Sequence, residues 1–296
     1  MPLILCHSPK GGASTTFTAS HLAIGLSGMD GSDGIGGDIT LLTLSQSDMT
    51  PLHFGLPPAQ RLPAFGAAIE AAVLVSGISL RCEPSAAQDP DFLGRLDDGG
   101  FLAADGARTL VIDVPAGEPA LASRLMPYAA VHICPLTASP DCLALLPQLL
   151  EQDEATEGSG TAYVIGKLDE TRRLARHVAA FMREVLGDKI IAKIRQDQSV
   201  PEALAMLQPL SRYAPASAAL ADVRQMADVV RGMLEVPAAA DPAQTDAGAH
   251  DGEADADAGA EEGVVVEGDA NRFRYRRGLE QSKHVQHVVI PVARGE

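Results

Sequence analysis

Short apolar runs recur along this chain, separated by stretches with helical spacing. Six runs read as strands: Leu3–His7, Ile39–Leu44, Thr109–Val114, Val131–Pro135, Ala162–Lys167 and Lys189–Ile194. Each is apolar at nearly every position, the pattern of strands buried on both faces of a parallel sheet. Helices are predicted over Thr15–Leu26, Leu62–Val75, Pro119–Tyr128, Pro140–Gln152, Glu170–Leu186, Pro201–Leu207 and Ala216–Leu234. In the fifth, Leu174, Val178, Phe181, Met182 and Val185 recur at helical spacing. The alternation predicts one α/β domain over residues 1–235, with a doubly wound, mostly parallel sheet. Gly28–Asp38 reads as a surface loop, and Arg81–Gly106 as a long polar connection to the third strand.

Composition sharpens this picture at the two ends of the chain. Hydrophobic residues make up 46% and aromatics only 4%, so the core is expected to be aliphatic. The net charge is −16. Ten acidic residues and no Lys or Arg lie between Val236 and Asn271. That stretch reads as a disordered acidic linker, because it has almost nothing to bury. Residues 272–296 follow with a local charge of +4, opening on Arg272-Phe273-Arg274-Tyr275-Arg276-Arg277 and ending in the apolar Val285–Val292 run. They read as a docking tail for an anionic or acidic partner, or as a basic tail folding back on the body. The body, residues 1–235, carries about −10. An acidic body is a poor generic nucleic-acid surface.

Cys6, Cys82, Cys134 and Cys142 show no C-x-x-C pair, which argues against a disulfide framework or a zinc site. The first 16 residues lack the basic start and long apolar run of a secretion signal, and no apolar run approaches the ~20 residues of a membrane span. A cytoplasmic protein is expected, brought to the inner membrane by partners if at all. His7, His21, His53, His132 and His177 show no metal-ligand spacing and read as packing or surface residues.

The chemistry concentrates directly after the first strand, in Ser8-Pro9-Lys10-Gly11-Gly12-Ala13-Ser14-Thr15-Thr16. The place is that of a phosphate-binding loop, whose usual spelling is G-x-x-x-x-G-K-[ST]. Here Pro9 stands at the first glycine, Ser14 at the second and Thr15 at the lysine. Backbone amides from Gly11 to Thr16 at a helix start still form an anion site, and Thr16 falls where a Mg²⁺-binding hydroxyl belongs. A tight strand-to-helix turn capped by Thr15 or Thr16 is the competing reading. A second feature favours the nucleotide. The third strand ends in Asp113-Val114-Pro115-Ala116-Gly117, and an acidic residue at the end of a neighbouring strand orders Mg²⁺ in phosphate-loop proteins.

These residues resemble the deviant-Walker ParA/MinD-like proteins, marked by K-G-G-x-G-K-T-T and D-x-P-x-G. Within them Lys10–Thr16 is most similar to the BcsQ (YhjQ) proteins of bacterial cellulose-secretion operons, which can carry Thr at the loop lysine. The run Ile194-Arg195-Gln196-Asp197, with Gln208-Pro209-Leu210 and Tyr213, is similar to the late part of the same domain. The resemblance covers residues 1–235. It implies a SIMIBI-type P-loop fold that binds ATP with Mg²⁺ through Lys10, Gly11, Gly12, Ala13, Ser14, Thr15, Thr16 and Gly117. Ile194, Arg195 and Asp197 would cup the adenine. Thr16 and Asp113 would hold the metal, and Lys10 would reach across a homodimer to the partner's nucleotide. It also implies work with other cellulose-secretion (Bcs) components in placing the synthase complex.

Two departures bear on turnover. Ser14 replaces a glycine, and Thr43 stands where the family's second strand ends in Asp, with Asp48 a few residues on. Both act where hydrolysis depends on positioning and charge, so slow or absent hydrolysis is expected. A nucleotide-independent interaction module and a ParA-type cargo positioner stay open as alternatives.

Overall fold

The computed structural model describes residues 2–28, 38–46, 48–67, 72–102, 108–155 and 160–235. The chain divides into one unit over Met1–Ala240 and a second over Asp241–Glu296. The linker, the tail and most of the Gly28–Asp38 loop lie outside the described residues. In chain order the elements are β1 (Leu3–His7), α1 (Thr15–Ser27), β2 (Asp38–Thr43), α2 (Thr50–His53), β3 (Val73–Val75) and β4 (Ile78–Cys82). There follow α3 (Phe92–Asp98), β5 (Arg108–Val114), α4 (Pro119–Leu125), β6 (Ala129–Thr137) and α5 (Pro140–Ala155). The last are β7 (Thr161–Leu168), α6 (Arg173–Leu186), β8 (Ile190–Arg195), α7 (Ser199–Ala205), α8 (Leu210–Tyr213) and α9 (Ala218–Glu235).

Strands that are apolar throughout must be covered on both faces, and the sheet is built that way. Its order is β3-β4-β2-β5-β1-β6-β7-β8, parallel except where β3 meets β4. Alternate residues of each strand point to opposite faces. Ile4 and Cys6 join Leu41, Val111, Ile133 and Val164 in one core under α1 and α9. Leu3 and Leu5 point the other way, into a core with Leu42, Ile112, Phe92 and Leu121. Leu136, Tyr163 and Ile165 face Leu146, Val178 and Met182 of α5 and α6. The doubly wound sheet read from the sequence is therefore observed. Among the described residues no helix is long and apolar enough to cross a membrane.

The stretch around Leu62–Val75 corrects the expected helix. Residues 73–75 are strand β3, and the backbone of 62–67 is held from outside. Cys82 N–H donates to Pro63 O at 3.0 Å. The buried Arg81 guanidinium donates to Ala64 O and Ala67 O at 3.2 and 3.1 Å. These carbonyls turn to Arg81 and Cys82, and the local Ala67 N–H to Ala64 O bond at 3.1 Å makes a lone turn and not a helix. Ser76 and Gly77 both have positive φ, 49° and 85°, which is the tight hairpin turn that joins β3 to β4. The region 81–106 is likewise more than a connection. It begins in β4, and it holds α3, whose Phe92 and Leu96 are fully buried.

Helix α1 is buried from Thr18 to Leu26, pressed between the sheet and α9. A Cβ at Gly25 would lie 2.5 Å from the Ala227 Cβ, so the glycine sets how closely the two helices approach. Replacing Gly25 by Ala is expected to destabilise the protein by about 1–3 kcal/mol, since overpacking outweighs the gain in helix propensity. The double change Gly25→Ala with Ala227→Gly should recover most of it in urea unfolding. Equal stability of the single variant would contradict the packing.

Among the described residues four histidines are buried: His7, His21, His53 and His132. His21 and His53 pack with Phe17, and the His7 and His132 rings stack with centroids 6.4 Å apart. Burial pushes their pKa values down, to about 4 for His7, His53 and His132 and about 3 for His21. The unfolded chain thus binds more protons than the folded one from pH 6.5 down to about 4, and stability is lost as pH falls through that window. The urea midpoint should fall steeply from pH 6.5 to 4.5 and stay nearly level from 7 to 8.5. A level midpoint below pH 6.5 would contradict the burial.

Candidate phosphate-binding site

The sheet register assembles the site before any side chain is considered. Strand β1 lies between β5 and β6. Cys6 pairs with Asp113, and Asp113 pairs with Thr43 on the next strand. The C-terminal edge of three parallel strands therefore holds the loop after His7, the Asp113 carboxylate and the Thr43 hydroxyl in one row. This is the edge at which α/β sheets bind ligands.

The loop turns through two left-handed residues, Gly12 with φ 79° and Ser14 with φ 73°. Gly12 takes this conformation freely. Ser14 does so at a cost of roughly 1–2 kcal/mol, as the residue before α1, where its carbonyl accepts the Thr18 N–H at 2.9 Å. No side chain caps this helix, so the competing reading of a turn capped by Thr15 or Thr16 is not what the structure shows. The buried Ser8 Oγ accepts the Lys10 N–H at 3.2 Å and braces the first turn. A Cβ on Gly11 or Gly12 would meet nothing within 4 Å, so the loop is open on that side.

Thr16 Oγ1 donates to Asp113 Oδ2 at 2.7 Å, and Thr43 Oγ1 approaches the same oxygen at 3.5 Å. Asp113 is 2% exposed. Its pKa is raised to about 6, by burial first and by the Asp48 carboxylate second, against the two hydroxyls that pull it down. Asp48 spends one oxygen accepting the Thr50 N–H at 2.9 Å. The set is oxygen-only, which suits Mg²⁺. Among the described residues no group of three or more His, Cys, Asp or Glu could hold a metal by itself. A Mg²⁺ held by Thr16 and Asp113 would therefore take its remaining ligands from phosphate and water.

Lys10 and Gly117 are placed differently from each other. The Lys10 ammonium lies 2.9 Å from Asp141 Oδ2, in the first turn of α5. Gly117 lies in the turn after β5, where Glu118 N–H donates to Pro115 O, and a Cβ there would also meet nothing within 4 Å. Ile194 is buried at the end of β8. Arg195 is committed to Asp222 through two side-chain bonds of 2.9 and 2.7 Å and its own N–H at 2.8 Å. Asp197 accepts the Ser217 hydroxyl at 2.6 Å and the Ser199 N–H at 2.9 Å, and the former above all holds its pKa near 2. Both charged side chains of this segment bind the flanks of α7 and α9.

Two residues at the site carry no motif. Lys167, at the end of β7, donates to Gly12 O at 3.0 Å. Asp141 is the other, as the partner of Lys10. A Gly-Lys pair closing the fifth expected strand was the available signal for Lys167.

The fold defines the class first. The chain has the architecture of MinD- and ParA-type proteins. It superposes on the ParA family ATPase from Chlorobium tepidum TLS at 16% identity and TM-score 0.58, covering 76% of this chain and 97% of that one. It superposes on MinD complexed with Mg-ADP from Pyrococcus horikoshii OT3 at 17% and 0.56, covering 77% and 95%. For the MinC:MinD cell division complex from Aquifex aeolicus the values are 13% and 0.59, covering 78% and 96%. Within that class, residues 102–230 match the family model described as cellulose biosynthesis protein BcsQ, so the resemblance read from the sequence holds. The match spans Asp113, Gly117 and the Ile194–Tyr213 run, and the loop precedes it. No curated protein sequence matches the chain.

Because its folded pKa lies above 3.8, ionised Asp113 costs stability once pH rises past about 6. Asp113→Asn should therefore melt no lower than the parent at pH 7.5 without nucleotide, with a gain of about 1–3 kcal/mol. A clear drop in Tm would show that the carboxylate supports the fold.

Proposed function

We propose that this chain is a MinD/ParA-like ATP-binding protein that closes a homodimer through its nucleotide face. The dimer serves as an assembly switch for the bacterial cellulose-secretion machinery. The observation that carries the reading is the convergence of Thr16, Asp113 and an open, amide-lined loop at one edge of the sheet. The match of residues 102–230 to the BcsQ family supports the cellulose assignment; on this reading the protein works in the cytoplasm and is recruited to the inner membrane through other secretion components. Bound Mg²⁺ would supply charge to the phosphates. Thr16 and Asp113 would hold it, Gly11 to Thr16 would cradle the phosphates, and Gly117 would face the terminal one.

Hydrolysis is slow or absent on this reading. The buried group at the end of β2 is the Thr43 hydroxyl, which cannot take a proton from an attacking water as a carboxylate can. Lys10 has a competing partner in Asp141. The pair is exposed, 37% and 58% at the two side chains, so it is weak and breaks readily when a dimer forms.

Light scattering of the full chain with saturating MgATP should show a dimer, and the nucleotide-free protein a monomer. Lys10→Ala should abolish the shift, Asp113→Asn should weaken it about tenfold or more, and Asp141→Asn should lower the ATP concentration required by a few-fold. Equal masses with and without MgATP, together with no heat of binding, would contradict the proposal and favour the nucleotide-independent module.

A further inference from the structure

The geometry points to Lys167 as the cation that serves the nucleotide phosphates in place of the lysine missing at Thr15. This rests on the nucleotide-site reading above.

Strand β7 does not end as a regular strand. Its pairing with β8 breaks register between Ile165 and Leu168, so Gly166 and Lys167 sit in an irregularity. Such breaks re-aim side chains and are frequent beside active sites. Lys167 has φ 50°, a conformation that lysine gains nothing from locally and that persists when the surroundings impose it. Two of the four non-glycine residues with positive φ among the described residues, Ser14 and Lys167, lie at this loop.

Gly166 explains how the strand comes so near. A Cβ there would lie 3.4 Å from Ala13 O and 3.9 Å from Ser14 Cβ, so the strand end rests on the loop at its middle. The next side chain is thereby carried over the loop, and its ammonium reaches Gly12 O at 3.0 Å. An ammonium has three donors, and this bond uses one. Among the described residues no carboxylate lies within ion-pairing distance of Lys167, whereas the ammonium of Lys10 is taken by Asp141. Lys167 is thus a cation on the phosphate loop with two donors to give and no acid opposing it.

The chemistry follows. A polyphosphate needs a compact positive charge near the loop, and Thr15 supplies none. Lys167 supplies it from within the same chain and from a different strand. The cross-dimer role then falls to Lys10, once its exposed pair with Asp141 opens. A lysine restored at position 15 would do the same work, so the two positions should substitute for one another.

Calorimetry on the full chain tests this with MgATP and AMP. Lys167→Gln should weaken MgATP binding about tenfold or more, as expected for a lost charge-assisted bond, and AMP binding much less. Lys167→Arg should stay within a few-fold of the parent. The double variant Thr15→Lys with Lys167→Gln should regain most of the lost affinity. The thermal midpoint without nucleotide should be unchanged by Lys167→Gln. The inference is overturned if Lys167→Gln binds MgATP as the parent does, if its loss is equal for AMP, or if Thr15→Lys fails to restore binding. Failure of the underlying reading is distinct, because the parent itself would then bind no MgATP, and the inference would fall with it.

Discussion

A carboxylate buried at the edge of a parallel sheet needs partners, and the partners of Asp113 organise this protein. Strand register places Asp113 beside Cys6 and Thr43. One of its oxygens, Oδ2, meets two hydroxyls, from the first turn of α1 and from the end of β2. Hydroxyls offset only part of the cost of burying the charge, which is why its pKa stands near 6. No lysine or arginine contributes to that shift. A buried acid facing oxygen donors and no cation is arranged to receive one, and a phosphate cradle next to it is where Mg²⁺ would be shared. The same contact ties α1 to β5, so the loop between β1 and α1 is anchored at both ends.

The loop's departures from the usual spelling then take on separate meanings. Ser14 is a conformational cost, because it adopts a glycine's φ while still closing the turn into α1. Thr15 is a loss of charge, and Lys167 arrives on the same loop from β7. Thr43 is a loss of a carboxylate, and its hydroxyl turns inward to Asp113. On the proposed function, grip and turnover rest on different residues. A protein that keeps the first and loses the second suits a switch that is set by binding.

Most of the sheet was legible because its strands are buried on both faces and hence apolar without interruption. β3 and β4 were not, since Leu62, Phe65, Ile69 and Val73 fall at helical spacing in a stretch whose carbonyls are claimed by Arg81 and Cys82. The Ser76-Gly77 turn was the sign of a hairpin. α3 was hidden in a polar region, with only Phe92 and Leu96 to mark its buried side. At the site, Lys10, Thr16 and Asp113 were readable because motif spacing reflects the strand–loop–helix geometry. Lys167 and Asp141 were not, because they meet the loop across 155 and 131 residues of chain through sheet pairing that no local pattern encodes.

The central claim is that the loop, the end of β5 and the end of β7 form one nucleotide site. Hydrogen–deuterium exchange of the full chain, with and without saturating MgATP, tests it directly. The account predicts slowed exchange at the amides of residues 11–18, 113–118 and 166–169 together. Unchanged exchange in all three segments, or protection of the loop without the other two, would contradict it.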